Sequence, residues 1–317
     1  MERERHSSRN IHLDIFTDIH KYCTLARRDS YASAVLQPTV LLDEYWIFDV
    51  KRFLPAWRKP NWSRKTVRSG ETPQSDSQTL ASWIKKQIES EQYWFQSIEL
   101  PGGIVTPGWS NPKTEKLPFF GLPHEMGGMR VLDIGHAEGF FSFEAERRGA
   151  REVVAIETYP PMIRKFNICR SAFGSSAQSF RASVYDLNPK TFGTFDLIFF
   201  FGVLYHLRHP LLALEKIHSV CTGTLLMQTA TSGDASEPPK AEFHPSGVQS
   251  GPAEKPSYDP SCFWFPNIAC CVAMLAHVGF QQIERLSPEA PVGAVFRAQA
   301  PLQAAGAPPD EFKAPWS

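Results

Sequence analysis

The sequence predicts an α/β fold: a doubly wound, mostly parallel sheet of seven strands, preceded by an N-terminal helical extension. Three observations lead there. From Arg130 onward, short apolar runs alternate with stretches of helical period. The first run opens into a glycine-bearing loop between Gly135 and Gly139. The second run ends on an acidic residue, Glu157, about 20 residues beyond that loop. Repeated strand–helix units need right-handed crossovers, and these build a largely parallel sheet covered on both faces.

Four zones follow along the chain. Residues 1–78 read as an N-terminal extension and linker, partly disordered. Apolar patches are scattered over 1–58, and Pro, Ser, Thr and Lys/Arg crowd 59–78. Residues 79–126 read as a helix and short strands packing on the core. The helix, 79–95, aligns Leu80, Trp83, Ile84, Ile88 and Trp94 on one face. Pro101-Gly-Gly103 then marks a turn between two short strands.

The main domain is expected over 127–300, with a Pro- and Ala-rich flexible tail at 301–317. Its strands are expected at 130–135, 152–157, 179–184, 195–202 and 223–229, with a closing pair at 281–286 and 293–300. Its helices are expected at 140–148, ended by Gly149, then at 160–173, opening on proline, at 210–220, and at 266–278, ended by Gly279. Residues 230–261 are long, polar and rich in Pro, Gly and Ser. They read as a loop covering the crevice.

Composition narrows the function classes. Lys and Arg number 33 and Asp and Glu 33, so no global charge draws the chain to nucleic acid or an anionic membrane. The one basic stretch runs from Lys51 to Arg68. No run reaches the ~18 apolar residues of a membrane helix. The six cysteines show no CxxC pair and no framework spacing, which suits reduced thiols in a cytoplasmic protein. The charged start of the chain lacks the apolar core of a secretory signal.

The strongest local signal is Val131-Leu-Asp-Ile-Gly-His-Ala-Glu-Gly-Phe-Phe141. A buried strand ends at Gly135, and the loop reaches Gly139 before a helix begins. Glycine lets backbone approach a ligand closely and turn where a Cβ would clash. The crevice then lies at the carboxyl end of the first strand. The spacing is not GxGxxG, and the Lys and Ser/Thr of a P-loop are missing, so neither a pyrophosphate nor a triphosphate is favoured. Glu157 is placed to accept bonds from ribose hydroxyls. Asp186, after the third strand, is placed to meet an adenine amino group. Asp133 either braces the loop or approaches the cofactor's amino group.

These residues resemble class I S-adenosylmethionine-dependent methyltransferases, and most closely the branch around the bacterial tRNA wobble-uridine carboxymethyl transferase. Three strings carry the resemblance: Gly202-Val-Leu-Tyr-His-Leu-Arg-His-Pro210, Phe263-Trp-Phe-Pro-Asn-Ile-Ala-Cys-Cys-Val-Ala-Met-Leu275, and Ser97-Ile-Glu-Leu-Pro-Gly-Gly-Ile-Val-Thr-Pro-Gly108. The resemblance implies a Rossmann-like methyltransferase fold and S-adenosylmethionine as cofactor. It implies that Gly135, Glu157 and Asp186 hold that cofactor, with Phe201 beside its adenine or methionine part; Gly139, at the end of the loop, is a further candidate cofactor contact. It also implies that Tyr205 lies near the transferred group. The chain departs from the family where His136 replaces a small residue or Cys, and where Ala137 replaces Gly. The carboxymethyl-transferring enzymes use an Arg-bearing C-terminal segment that this chain does not match. Plain methyl transfer is therefore expected.

Methyl transfer is an in-line displacement from an activated donor, so the protein mainly supplies position and desolvation. A base helps where the acceptor has a proton to lose. His206, after the fourth strand, is the candidate base; the alternative is a packing histidine bonded to backbone. Tyr205 is the candidate for orienting the acceptor. Arg208 is the candidate anchor for an acidic group, Trp264 for stacking on an aromatic acceptor, and Trp109 for closing the opposite side. Each has a plain alternative as a core or surface residue. No metal site is expected, because His206 and His209 have no acidic or thiol partner nearby in sequence. The expected partner is a small-molecule acceptor methylated at oxygen in a specialised pathway. The alternatives are tRNA modification and a non-catalytic module that retains only the fold.

Overall fold

A computed structural model describes residues 77–232, 238–245, 247–250, 257–286 and 293–301. The expected N-terminal extension up to residue 76, and the tail from 302, lie outside the described residues.

The central sheet has seven strands: β3 (Arg130–Ile134), β4 (Glu152–Glu157), β5 (Gln178–Arg181), β6 (Phe195–Phe201), β7 (Cys221–Thr229), β12 (Gln281–Arg285) and β13 (Ala294–Gln299). Their order is β12-β13-β7-β6-β3-β4-β5. The five strands from β7 to β5 are parallel, whereas β13 runs antiparallel to both β7 and β12. This is the seven-stranded, mostly parallel sheet that the sequence predicts.

Why these runs become buried strands is plain from their alternation. Leu132, Ile134, Val154, Ile156, Ile198 and Phe200 face one layer, with α6 (Pro210–Val220) and α7 (Ile268–His277). Val131, Val153, Ala155, Leu197 and Phe199 face the other, with α3 (Phe140–Arg147) and α4 (Pro160–Phe173). Most of these side chains are almost fully buried. An earlier helix, α1 (Ser77–Glu89), adds Ile84 to the second layer, with Leu80, Trp83 and Ile88 packed against it. The hairpin β1 (Glu99–Leu100) and β2 (Ile104–Val105) follows, then a one-turn helix, α2 (Pro112–Glu115).

Several elements differ from expectation, each for a local reason. The first helix ends at Glu89, not at 95. The Ser90 hydroxyl donates to the Gln87 carbonyl at 2.7 Å, competing with the helical ladder. Trp94 is nevertheless buried, outside the helix. The expected strand 179–184 stops at Arg181, because Ser183 caps a 3-10 turn, Val184–Asp186. The expected helix 266–278 begins at Ile268. Asn267 caps it by accepting the Cys270 amide at 2.8 Å, a contact worth about 1 kcal/mol. The residues before it form β11 (Trp264–Pro266), which pairs antiparallel with β8 (Ala241–Phe243).

The stretch expected as loop also holds β9 (Val248–Ser250) paired with β10 (Ser257–Asp259). A short one-turn helix, α5 (Pro189–Phe192), precedes β6, and a 3-10 turn, Leu204–His206, follows it. Among the described residues no helix is long and apolar enough to cross a membrane.

Candidate active site

Strand order reverses between β3 and β6, so their carboxyl ends diverge and leave a crevice. Two glycines shape its floor. Gly135 has φ 72°, and a Cβ there would lie 2.5 Å from Val203 Cγ2. Gly139 has φ 98°, and a Cβ there would meet the Phe166 ring at 2.4 Å. Between them Ala137 takes a left-handed backbone, φ 51°, where the family pattern has Gly. An L-residue pays a steric cost there, about 1–2 kcal/mol.

His136 fills the loop. Its Nδ1 lies 2.8 Å from the Ala137 carbonyl and its Nε2 lies 2.7 Å from Ser179 Oγ. The ring packs on Phe166 at 4.5 Å. Burial pushes its pKa down to about 3, so it is neutral. Glu138, which the sequence reading passed over, is fully buried. Its two carboxylate oxygens accept the Phe95 amide at 2.7 Å and the Gln96 amide at 3.1 Å. The Gln96 side chain in turn accepts the Phe140 amide at 3.2 Å, at the start of α3. The segment 95–110 is thereby latched to the glycine loop.

The three acids named from the sequence lie in different settings. Asp133 points toward α3, is buried, and accepts the Ser142 hydroxyl at 2.6 Å. Burial raises its pKa to about 7, against the Ser142 bond and with the help of the Glu157 charge. Glu157 stands at the end of β4 and accepts the Thr158 and Tyr159 amides on Oε1, at 2.7 and 3.0 Å. Burial raises its pKa as well, opposed by those amides. Asp186 is exposed, and its carboxylate accepts the Ser183 amide at 2.9 Å, completing a capping box within its own turn.

Beyond β6, Phe201 joins an aromatic cluster with Phe120, Phe141 and Phe199, its ring 4.6–5.3 Å from theirs. The Tyr205 hydroxyl lies over Gly202, 3.3 Å from where a Cβ would stand. Burial raises its pKa. The His206 ring lies 4.2 Å from the Tyr205 ring. His206 Nδ1 meets groups that the sequence reading placed nowhere near it: Ser261 Oγ at 2.9 Å, the Ser261 carbonyl at 3.3 Å, Cys262 Sγ at 3.7 Å and Asp259 Oδ2 at 4.0 Å. The chain brings them in by pairing the Phe263 amide with the Tyr205 carbonyl at 2.8 Å. Burial lowers the pKa of His206, against the Asp259 charge.

His206, Asp259 and Cys262 also form a set whose ligand atoms lie within 4.8 Å of one another. Thus the acidic and thiol partners absent from the neighbouring sequence are supplied by the fold. His209 is not part of that set; its amide donates to the Tyr185 hydroxyl at 3.1 Å.

The three expected acceptor contacts do not converge in one described cluster. Arg208 is exposed and lies over the Phe263 ring at 5.5 Å. Trp264 packs on Phe243 at 4.7 Å, and its buried indole N–H has no hydrogen-bond partner among the described residues. Trp109 is 69% exposed, donates to the Tyr93 hydroxyl at 2.7 Å and meets the Phe95 ring edge-on. It therefore belongs to the segment latched to Glu138.

Residues 112–286 match the family model described as a methyltransferase domain. Curated relatives include tRNA U34 carboxymethyltransferases. That of Edwardsiella ictaluri (strain 93-146) is 25% identical over 228 residues, covering 70% of this chain and 65% of that protein. That of Chromohalobacter salexigens is 26% identical over 266 residues, covering 77% and 75%. That of Desulforapulum autotrophicum is 33% identical over 111 residues, 35% of this chain and 34% of that protein. The chain thus spans from a third to three quarters of the length of these relatives. Among solved structures, the N-terminal domain of EvdMO1, in the presence of SAH and D-fucose, aligns with a TM-score of 0.51 at 21% identity. That alignment covers 69% of this chain and 96% of that one, a likeness of fold.

Proposed function

The chain belongs to the methyltransferase-domain family, whose donor is S-adenosylmethionine, and from that premise we propose that it methylates an oxygen of a small molecule in a specialised biosynthetic pathway. The observation that carries this reading is the neutral, half-buried imidazole of His206 beside Tyr205 at the carboxyl end of β6. Such a base suits an acceptor with a hydroxyl proton to lose.

The residues present fit the donor. Glu157, an acceptor-only group when charged, has Oε1 already held by backbone and suits ribose hydroxyls. Gly135 and Gly202 keep the strand ends free of side chains where a Cβ would meet Val203 or Tyr205. S-adenosylmethionine supplies a methyl group activated by its sulfonium. Asp133 is placed, through its bond to Ser142, to tie β3 to α3 beneath the loop. Tyr205 orients the acceptor, and His206 takes its proton as the oxygen–carbon bond forms and the carbon–sulfur bond breaks. The thioether left on the donor would be neutral, so no residue need act as an acid.

A second reading is favoured by one observation, the names of the curated relatives: modification of a tRNA wobble uridine. Against it stands the balanced charge, since phosphate contacts need clustered Lys and Arg. Methyl-labelled S-adenosylmethionine offered with small-molecule extract and bulk RNA in parallel separates the two. Label is expected in the small-molecule fraction; label confined to RNA overturns the proposal.

A further inference from the structure

We propose that Asp259 and Ser261 are positioning residues for His206: they hold its neutral imidazole with the proton on Nδ1, leaving Nε2 as the basic nitrogen. This rests on the reading of His206 as the base and specifies which atom of it acts.

The assignment follows from what each neighbour can donate. The Ser261 carbonyl, 3.3 Å from Nδ1, can only accept. The carboxylate of Asp259, with Oδ2 at 4.0 Å, can only accept as well. The Ser261 hydroxyl is ambivalent, with one proton to give. Its Oγ lies 2.6 Å from Asp259 Oδ1, the length of a charge-assisted O–H···O⁻ bond, so the proton points there. Its oxygen is then free to accept from Nδ1 at 2.9 Å.

Asp259 is itself fixed, accepting the Ser261 amide at 2.8 Å. Two bonds from Ser261, from its amide and its hydroxyl, both favour the charged carboxylate. The Cys262 thiol bonds the Asp259 carboxylate, so the Ser261 carbonyl and Oγ are left facing Nδ1, and both call for a donor. On the far side of the ring, Nε2 has no hydrogen-bond partner among the described residues. A proton on Nε2 would set a lone pair against the Ser261 carbonyl.

The arrangement has a structural consequence. His206 follows β6, whereas Asp259, the last residue of β10, and Ser261, between β10 and β11, arrive more than fifty residues later. The Phe263 amide bond to the Tyr205 carbonyl sets their register. The base is thus completed only when that later segment is docked. Cys262, whose Sγ lies 3.7 Å from Nδ1, allows a rival arrangement, a divalent cation held by His206, Asp259 and Cys262.

The test is the tautomer itself. The full chain, labelled with ¹⁵N-histidine, is read by two-bond ¹H–¹⁵N correlation, with His206→Gln identifying the signal. The expected wild-type pattern is protonated Nδ1 and bare Nε2. Ser261→Ala and Asp259→Asn are expected to move the ring toward the Nε2–H form. Turnover should fall about tenfold to a hundredfold with donor affinity unchanged, and Ser261→Thr should restore both.

An Nε2–H ring in the wild type overturns the proposal. So does a tautomer unmoved in both variants when their circular dichroism is native. Stoichiometric zinc in the purified protein, lost in Cys262→Ser, overturns it in favour of a metal centre. The reading of His206 as the base fails separately: His206→Gln would then keep full turnover while the tautomer still responds to Ser261 and Asp259.

Discussion

At the scale of residues, a buried carboxyl at the floor of the crevice ties stability to pH. Asp133 is raised from 3.8 to about 7 by burial, so the folded state binds its proton more tightly than the unfolded chain. Its stabilising share is complete below pH ~4 and is lost as pH rises toward 7. Asp133→Asn keeps the shape and removes the titration. Urea midpoints across pH 4 to 8 are expected to decline less steeply in this variant than in the parent; parallel slopes would place the raised group elsewhere.

Asp133, Glu157 and the glycines were legible because each sits within a few residues of a strand end, where local spacing already defines its place. Asp259, Ser261 and Cys262 were not. Their contacts with His206 span 53 to 56 residues, and nothing near His206 in sequence advertises them. The local role of Asp186 was not legible either: one oxygen of its carboxylate serves a cap three residues away.

Between elements, the glycine loop and the segment 95–110 hold each other. Glu138 accepts two amides from that segment, Gln96 caps α3, and the Thr106 hydroxyl donates to the Gln96 carbonyl at 2.7 Å. Gly108 makes the contact possible, since a Cβ there would lie 2.1 Å from the Gln96 carbonyl carbon. Removing Glu138 orphans two amides in a dry setting, each worth about 1–3 kcal/mol. Glu138→Ala is therefore expected to lower stability by about 2–5 kcal/mol, readable as a shifted urea midpoint; a loss under about 0.5 kcal/mol would mean that the latch carries little.

The long elements followed directly from periodicity: β4, α4 and α6 begin and end where the sequence placed them. The short strands β8 to β11 did not. At three residues each they are too brief for a period to emerge, and pairing with distant partners creates them.

For the whole molecule, the order of strands decides where a ligand can lie. A sheet that turns both ways from β3 opens one crevice at its carboxyl edge, and the glycine loop and Glu157 both arrive there. This much was written in the alternation of strands and helices. The acceptor was not, because the side chains expected to contact it sit apart: Arg208 rests on Phe263, Trp264 on Phe243, and Trp109 on Phe95. If Glu157 grips the ribose, Glu157→Ala should weaken S-adenosylmethionine binding about tenfold to a hundredfold in calorimetry, with circular dichroism still native. Equal affinities would take the ribose away from this residue.

The most direct measurement is a crystal structure of the full chain with S-adenosylhomocysteine. The nucleoside is expected across the tip of β3, above Gly135, with its ribose hydroxyls on Glu157. Density for it at any other edge of the sheet, or a ribose held by some other group, would contradict the account.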